Sequence, residues 1–246
     1  MYRKFINICK NALWLLFPQT CPVCDAILYK KEKAKGFCKK CQGQIQRVGR
    51  NYCLTCGKPM DDTVSEKCRN CRSRSHYFEA NRAVYRYSGR MKDAMYKFKY
   101  SNMRCFAEDF ARKSLEYHSR FLLESGVEVI IPVPMYEKKE KIRGYNQARV
   151  YAKALSELTG IPLGDRIVRR IRDTAPMKRL NSSERMKNLR SAFKLREEVV
   201  QFKKVLLVDD IYTTGATLDK VAKVLRDGGV AQVYGMCICI GDDHSL

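Results

Sequence analysis

The sequence predicts an α/β fold: a doubly wound, mainly parallel sheet preceded by a small cysteine-rich module. Three observations carry that prediction. Eight of the 12 cysteines fall into four Cys-x-x-Cys pairs, all before residue 72. From about residue 80 onward, strand and helix patterns alternate. One apolar run, Val205–Val208, leads straight into two aspartates, a Thr/Gly loop and a helix start, as a parallel strand does at its carboxyl end.

The chain has 246 residues, room for one ordinary domain and a small one. Hydrophobic residues make up 45%, enough for a core, which excludes a disordered chain. No stretch is long and apolar enough to span a bilayer, so an integral membrane protein is not expected. Lys and Arg number 48 against 26 Asp and Glu, a formal net charge of +22. Between Lys138 and Arg190, basic residues outnumber acidic ones three to one. So uneven an excess suits anionic partners: nucleic acid, phosphorylated metabolites or an acidic membrane surface. A solvated, solubilising surface is the plainer account of the same charge.

Residues 1–20 look at first like a signal peptide. Lys10 and Asn11 break the apolar run, however, and no small-residue cleavage site follows. A short amphipathic helix fits better, with Phe5, Ile8 or Cys9, Ala12 and Leu16 on one face. It is expected to pack on the body, with contact to the inner membrane face as the lesser option; the expected location is the cytoplasm.

Residues 21–75 hold the pairs Cys21/Cys24, Cys38/Cys41, Cys53/Cys56 and Cys68/Cys71. A Cys-x-x-Cys knuckle offers two thiolates to one ion, and two knuckles close a tetrahedron around Zn²⁺. One redox dithiol is plausible and four in tandem are not; nothing signals the oxidising compartment that disulfides need. Two structural zinc sites are expected, the first two pairs sharing one ion and the last two the other. An interleaved pairing fits the spacing as well. Each site brings four thiolates and one Zn²⁺, so the loaded chain carries about +18. The module has too few apolar residues to fold without metal, which makes the zinc structural. His76 is read as a surface residue rather than a ligand, and Cys9, Cys105, Cys237 and Cys239 as small buried hydrophobes.

The third domain, residues 80–246, begins with the strand NRAVYRYSG. The helix RMKDAMYKFKYS follows, with Met91, Met95 and Phe98 inward. A longer helix from Cys105 is stopped by Gly126, and VEVIIPVP then reads as a strand buried on both faces. The helix NQARVYAKALSELTG puts Ala148, Tyr151, Leu155 and Leu158 on one side and stops at Gly160. Short strands near 166–171 and 192–195 flank a basic connection, in which Asn181 and Glu184 form a capping box. The strand KKVLLVDD, the helix TLDKVAKVLRDGG and the strand VYGMCICI close the pattern.

In a parallel sheet, ligands bind beyond the carboxyl ends of the strands. Asp209 and Asp210 sit at such an end. The turn Thr213-Thr214-Gly215-Ala216-Thr217 then enters a helix, where backbone N–H groups and the helix N-terminus form an anion cradle. Its hydroxyls add donors, and Gly215 lets the backbone come close. Carboxylates accept hydrogen bonds from vicinal hydroxyls, so a ribose 5-phosphate unit suits both halves. The plainer account is a capped helix after a strand that ends in two exposed acids.

The stretch Val205–Leu218 resembles the phosphoribosyl diphosphate (PRPP) motif of type I phosphoribosyltransferases over fourteen consecutive residues. Together with the cysteine module, IRGYNQA (Ile142–Ala148) and SSERMKNLRSAF (Ser182–Phe193), it makes the chain similar, over almost its whole length, to the ComF (ComFC-type) family of competence proteins. The resemblance implies a type I phosphoribosyltransferase-like sheet behind a double zinc ribbon, and a role in genetic transformation after DNA has been taken up. It implies that Asp209, Asp210 and Thr213 to Thr217 hold PRPP, with Mg²⁺ on the diphosphate. Val133 and Pro134 would lie at the pyrophosphate loop. Arg143, Gly144, Tyr145, Asn146 and Gln147 form the family's signature, whose plain reading is a polar helix start with Asn146 as N-cap. Arg185 and Asn188 match a loop that closes over the ligand, although Met177 stands where a Gln is expected.

Two functions of different class follow. The first is a PRPP-binding protein of the DNA-uptake machinery that handles single-stranded DNA. The second is a working phosphoribosyltransferase with an unidentified acceptor, since no nucleobase pocket is legible. The stretch 80–106 interleaves aromatics with cations, among them Arg86, Arg90, Lys97 and Lys99, as a single-strand track would. Core aromatics with lysines outside would give the same pattern.

Overall fold

The computed structural model describes residues 18–29, 32, 36–62, 64–172, 192–196 and 201–241. The expected N-terminal helix, the capping box at Asn181/Glu184, and Met177, Arg185 and Asn188 lie outside these residues. Two short helices, α1 (Lys39–Gln42) and α2 (Arg69–Ser73), belong to the cysteine module. The larger body runs β1 (Ala80–Arg86), α3 (Arg90–Tyr100), α4 (Phe106–Ser125), β2 (Val129–Pro132), α5 (Glu137–Arg143), α6 (Gln147–Thr159), β3 (Val168–Arg170) and β4 (Phe193–Leu195). It ends with β5 (Lys204–Tyr212), α7 (Ala216–Asp227) and β6 (Gln232–Ile240).

The main sheet has the order β1-β6-β5-β2, and every pair in it is parallel. β3 and β4 form a separate antiparallel pair. The near-continuous apolar strands read from the sequence are buried on both sides: Val205 to Val208 are fully covered, as are Ile130 and Ile131. Side-chain alternation divides the core. Leu206, Val208, Met236 and Ile238 join α3, α4 and α6 on one face. Val205, Leu207, Val233 and Cys237 join α7 on the other. Helices therefore cover both faces, as the doubly wound pattern requires.

The helix ends follow their chemistry. Gly126 and Gly160 take left-handed backbone at the C-termini of α4 and α6, which an L side chain resists. Asn146 caps α6: its side chain accepts from the Ala148 N–H at 3.0 Å. Such a cap is worth about 1 kcal/mol.

The cysteine module is built twice to one plan. A bridge flanks each first knuckle (Thr20 with Ile27, Tyr52 with Pro59), and a short helix starts at each third cysteine. The two ribbons lie on opposite faces of the sheet. The first shares a core with Tyr85, Phe98 and Phe110, the second with Phe78, Tyr212 and Val221. Their connection runs along β1, with Val48 N donating to Val84 O and Arg86 N to Gln46 O, both at 2.9 Å. The linker thereby pairs the outer edge of β1, which would otherwise present open backbone groups.

Two expectations need correction here. Cys105 is exposed at the start of α4, where a turn lifts it out of the core; Cys237 and Cys239 are buried as expected. The His76 side chain is only 5% exposed, because residues 74–77 fold against α7 instead of running free as a linker.

Candidate functional site

The cysteine centres come first. Cys21, Cys24, Cys38 and Cys41 form one group and Cys53, Cys56, Cys68 and Cys71 the other, with all sulfurs of a group within 4.8 Å of one another. The sequential pairing is the one the fold adopts. A tetrahedron with Zn–S of about 2.3 Å has edges near 3.8 Å. The Cys24–Cys38 and Cys56–Cys68 sulfur separations are both 3.7 Å, so the donor sets fit zinc. Four thiolates fill the tetrahedron, which suits a structural and not a catalytic ion.

The second site is a cleft of about 370 Å³ at the carboxyl end of the sheet. Asp209, Asp210, Ile211, Thr213 and Thr217 form one wall; Val133, Pro134 and Met135 follow β2; Arg143, Asn146 and Gln147 come from the junction of α5 and α6. Tyr87, Lys99 and Arg170 complete it. The acids and hydroxyl residues of one contiguous segment thus face the signature segment across the sheet end. Thr214, Gly215 and Ala216 form the turn behind. Gly215 has φ +77, and any Cβ there would run into the Tyr212 ring.

Charge at the cleft floor is balanced by a residue from another element. Lys99 Nζ lies 3.0 Å from Asp210 Oδ2, with the two side chains 21% and 14% exposed. Burial pulls the Lys99 ammonium down; the charges of Asp210 and Asp209 together outweigh it, and the net shift is upward. Burial, with the Asp210 charge beside it, pushes the Asp209 carboxyl up, to about 8. The Asp209 Oδ1 also accepts from the Asp210 N–H at 2.9 Å.

The signature residues turn out to be braces. Asn146 Nδ2 donates to Val133 O at 3.0 Å, tying α6 to the loop after β2. Tyr145 donates its hydroxyl to Phe98 O, and Gln147 Nε2 donates to Lys99 O at 3.3 Å, so both hold the last turn of α3. Arg143 donates to Gln147 Oε1 at 2.8 Å and lies over the Tyr100 ring. Gly144 is left-handed, caps α5 and accepts from Arg104. Arg143, Tyr145 and Gln147 thus fix the end of the helix that delivers Lys99 to Asp210, while Gly144 and Asn146 hold the neighbouring loops.

Of the four cations expected along a nucleic-acid track, the two lysines are placed differently. Lys97 donates to Val23 O at 3.0 Å and pairs with Asp25. Lys99 is inside the cleft. Both point at carboxylates of their own chain, and neither lines an outer track. Arg90 reaches Gln44 Oε1 at 3.2 Å and Asp93 at 3.6 Å. Arg86 sits on β1 beside the module linker. The exposed aromatics nearby are Tyr96 and Tyr100, 64% and 60% exposed, with ring centroids 4.9 Å apart. Tyr87 and Arg170 also line the cleft, although no sequence motif marks them. Tyr87 directly follows β1 and Arg170 is the last residue of β3, and that nearness to a strand end is the local signal they carry.

Comparison with known proteins fits this geometry. A double zinc ribbon domain matches residues 12–72, and a phosphoribosyl transferase domain matches residues 143–245. Competence protein F of Haemophilus influenzae is 32% identical over 208 residues, covering 82% of this chain and 90% of that protein. The chain belongs to the competence protein F (ComF) family. Other members similar to it are competence protein ComFC of Bacillus subtilis, 29% identical over 79% of each chain, and DNA utilization protein YhgH of Escherichia coli K12. The latter is 27% identical over 83% of this chain and 90% of its own. Among solved structures, the purine phosphoribosyltransferase of Pyrococcus horikoshii aligns at 17% identity with TM-score 0.37, over 56% of this chain and 76% of that one. The domain match and the parallel sheet identify the body as phosphoribosyltransferase-like, behind a double zinc ribbon. No described helix is long and apolar enough to cross a membrane.

Proposed function

We propose that this ComF-family chain binds PRPP, or a related ribose phosphate, in the cleft, and serves the handling of single-stranded DNA during uptake. The observation that carries the reading is the placement of Asp209 and Asp210 beside Thr213 and Thr217 at the sheet end. Two carboxylates suit a vicinal diol, and the turn leading into α7 offers backbone N–H groups to a phosphate. Mg²⁺, bound with the diphosphate, would neutralise the leaving group. Of this chain's residues, Asp210 would take up ribose hydroxyls by exchanging its bond to Lys99. The freed ammonium then lies within the cleft, near Arg143 and Arg170, available to the diphosphate. If transfer occurs, the same carboxylates would stabilise a positively charged ribose centre.

The names of the relatives, competence and DNA utilization, support the DNA role. The exposed Tyr96/Tyr100 pair, with Arg143 above Tyr100, offers bases a stacking surface next to the cleft. A location in the cytoplasm, where such DNA would arrive, goes with this reading. The second reading, a transferase with a separate acceptor, rests on the completeness of the carboxylate and hydroxyl set.

Calorimetric titration of PRPP with Mg²⁺ into the zinc-loaded chain tests the proposal. Charge-assisted hydrogen bonds contribute about 1.5–3 kcal/mol each. Replacing both acids (Asp209→Asn/Asp210→Asn) should therefore weaken binding by at least about a hundredfold. A folded parent that takes up no ligand would overturn the reading.

A further inference from the structure

The second cysteine group touches the ribose-phosphate loop through two routes. Asp219, in the first turn of α7, is 4% exposed and sits among groups from residues 74–77. Arg74 Nη2 lies 3.0 Å from its Oδ2, His76 Nδ1 2.8 Å from the same oxygen, and the Tyr77 N–H donates to Oδ1 at 3.0 Å. The other ring nitrogen of His76 lies 3.4 Å from Cys71 Sγ. One imidazole therefore bridges a sulfur of the second group and the helix that begins at the anion turn. The backbone N–H of Asp219 closes on Gly215 O at 2.8 Å, which fixes that turn.

The second route is aromatic. The His76 ring stacks on Phe78 with centroids 4.6 Å apart, and Phe78 meets Tyr212 edge-on at 6.3 Å. Tyr212 is the residue against which Gly215 is pressed. Electrostatics point the same way. A bare carboxylate one turn from a phosphate loop repels a phosphate dianion. Arg74, His76 and the Tyr77 N–H offset that charge, and all three follow directly on the second ribbon.

We propose that the second four-cysteine centre is the prop of the phosphate loop, with His76, Phe78 and Asp219 as positioning residues, so that metal occupancy there and ribose-phosphate binding reinforce each other. The inference rests on the ribose-phosphate reading of the cleft and adds a linkage to it. Linkage is reciprocal: a ligand that favours the ordered loop must also tighten the hold of the second ribbon on its metal, which lowers the population of the open ribbon that a trap can reach, and loss of the ribbon must weaken the ligand.

The test uses the full, zinc-loaded chain with a competing chelator and a thiol-trapping maleimide. Peptide mass spectrometry reads the opening rate of each cysteine group separately, with and without saturating PRPP and Mg²⁺. The ligand should slow trapping at Cys53, Cys56, Cys68 and Cys71 about fivefold or more relative to the first group. In Asp219→Asn, the second group should open about ten- to a hundredfold faster without ligand, and the protection by ligand should vanish. His76→Gln should behave alike. Simple scavenging of zinc by the diphosphate would hasten both groups, the opposite sign. If calorimetry shows PRPP bound to the parent while its second group opens at an unchanged relative rate, the linkage falls and the cleft reading stands. If the parent binds no PRPP, both fall.

Discussion

Lys99→Met isolates the charge balance at the cleft floor. Methionine keeps most of the aliphatic stem and removes the ammonium that lies 3.0 Å from Asp210. At an effective dielectric of about 20, two unit charges at that distance attract by about 5–6 kcal/mol. Most of this gain offsets the desolvation of the two groups. Breaking a fully buried pair costs about 3–5 kcal/mol, and these side chains keep some solvent, so about 2–3 kcal/mol is expected at neutral pH. The pH dependence is the sharper signature. Asp209 is already held above the ordinary carboxylate range, at about 8, and the Lys99 charge is one of the influences holding it down. The variant should raise it further. A carboxyl raised in the folded state keeps a proton that the unfolded chain has released, so stability falls as pH climbs from about 4 towards the folded value. The deficit of Lys99→Met should be smaller near pH 5, where Asp209 holds its proton in both proteins, and grow towards about pH 9, where the parent's Asp209 is ionised beside Lys99. Urea unfolding of parent and variant across that range measures it. A deficit below about 0.5 kcal/mol, or one independent of pH, would refute the role assigned to Lys99.

Three further outcomes are expected. Gly215→Ala combines left-handed strain of about 1–2 kcal/mol with overpacking against Tyr212, and should lower the melting temperature and the ribose-phosphate affinity together; parent-like behaviour would mean the turn is looser than drawn. Asn146→Ala removes a helix cap and leaves the buried Val133 carbonyl without its donor, a loss of about 2–3 kcal/mol by urea unfolding. Tyr96→Ala/Tyr100→Ala should weaken single-stranded DNA about tenfold or more in a fluorescence anisotropy titration, as the loss of base stacking predicts, while leaving PRPP binding intact; unchanged DNA affinity would move the strand elsewhere.

The local motifs were legible because their geometry is local. A Cys-x-x-Cys turn brings two sulfurs to one ion wherever it stands in a chain, and both centres formed from the sequential pairs. Apolar runs ending in Asp209 and Asp210 announced a strand end, and Gly126 and Gly160 announced helix stops that their left-handed backbone confirms. Fold class, element order and the contiguous wall of the cleft all belong to this part.

What joins distant segments was not legible. Lys97 and Lys99 look alike in the sequence, two cations on one helix; only the packing of α3 on the sheet, with its last turn at the cleft, sends one to Asp25 and the other to Asp210. His76 read as an exposed neighbour of a metal site until the strand order β1-β6-β5-β2 set α7 beside the second ribbon and closed it on Asp219. A charge or an imidazole has the same residue type whether it faces water or a partner 143 positions away, so its role is decided by burial and pairing. Those are properties of the packed molecule, and there the tertiary structure alone turned a zinc module and an anion turn into neighbours.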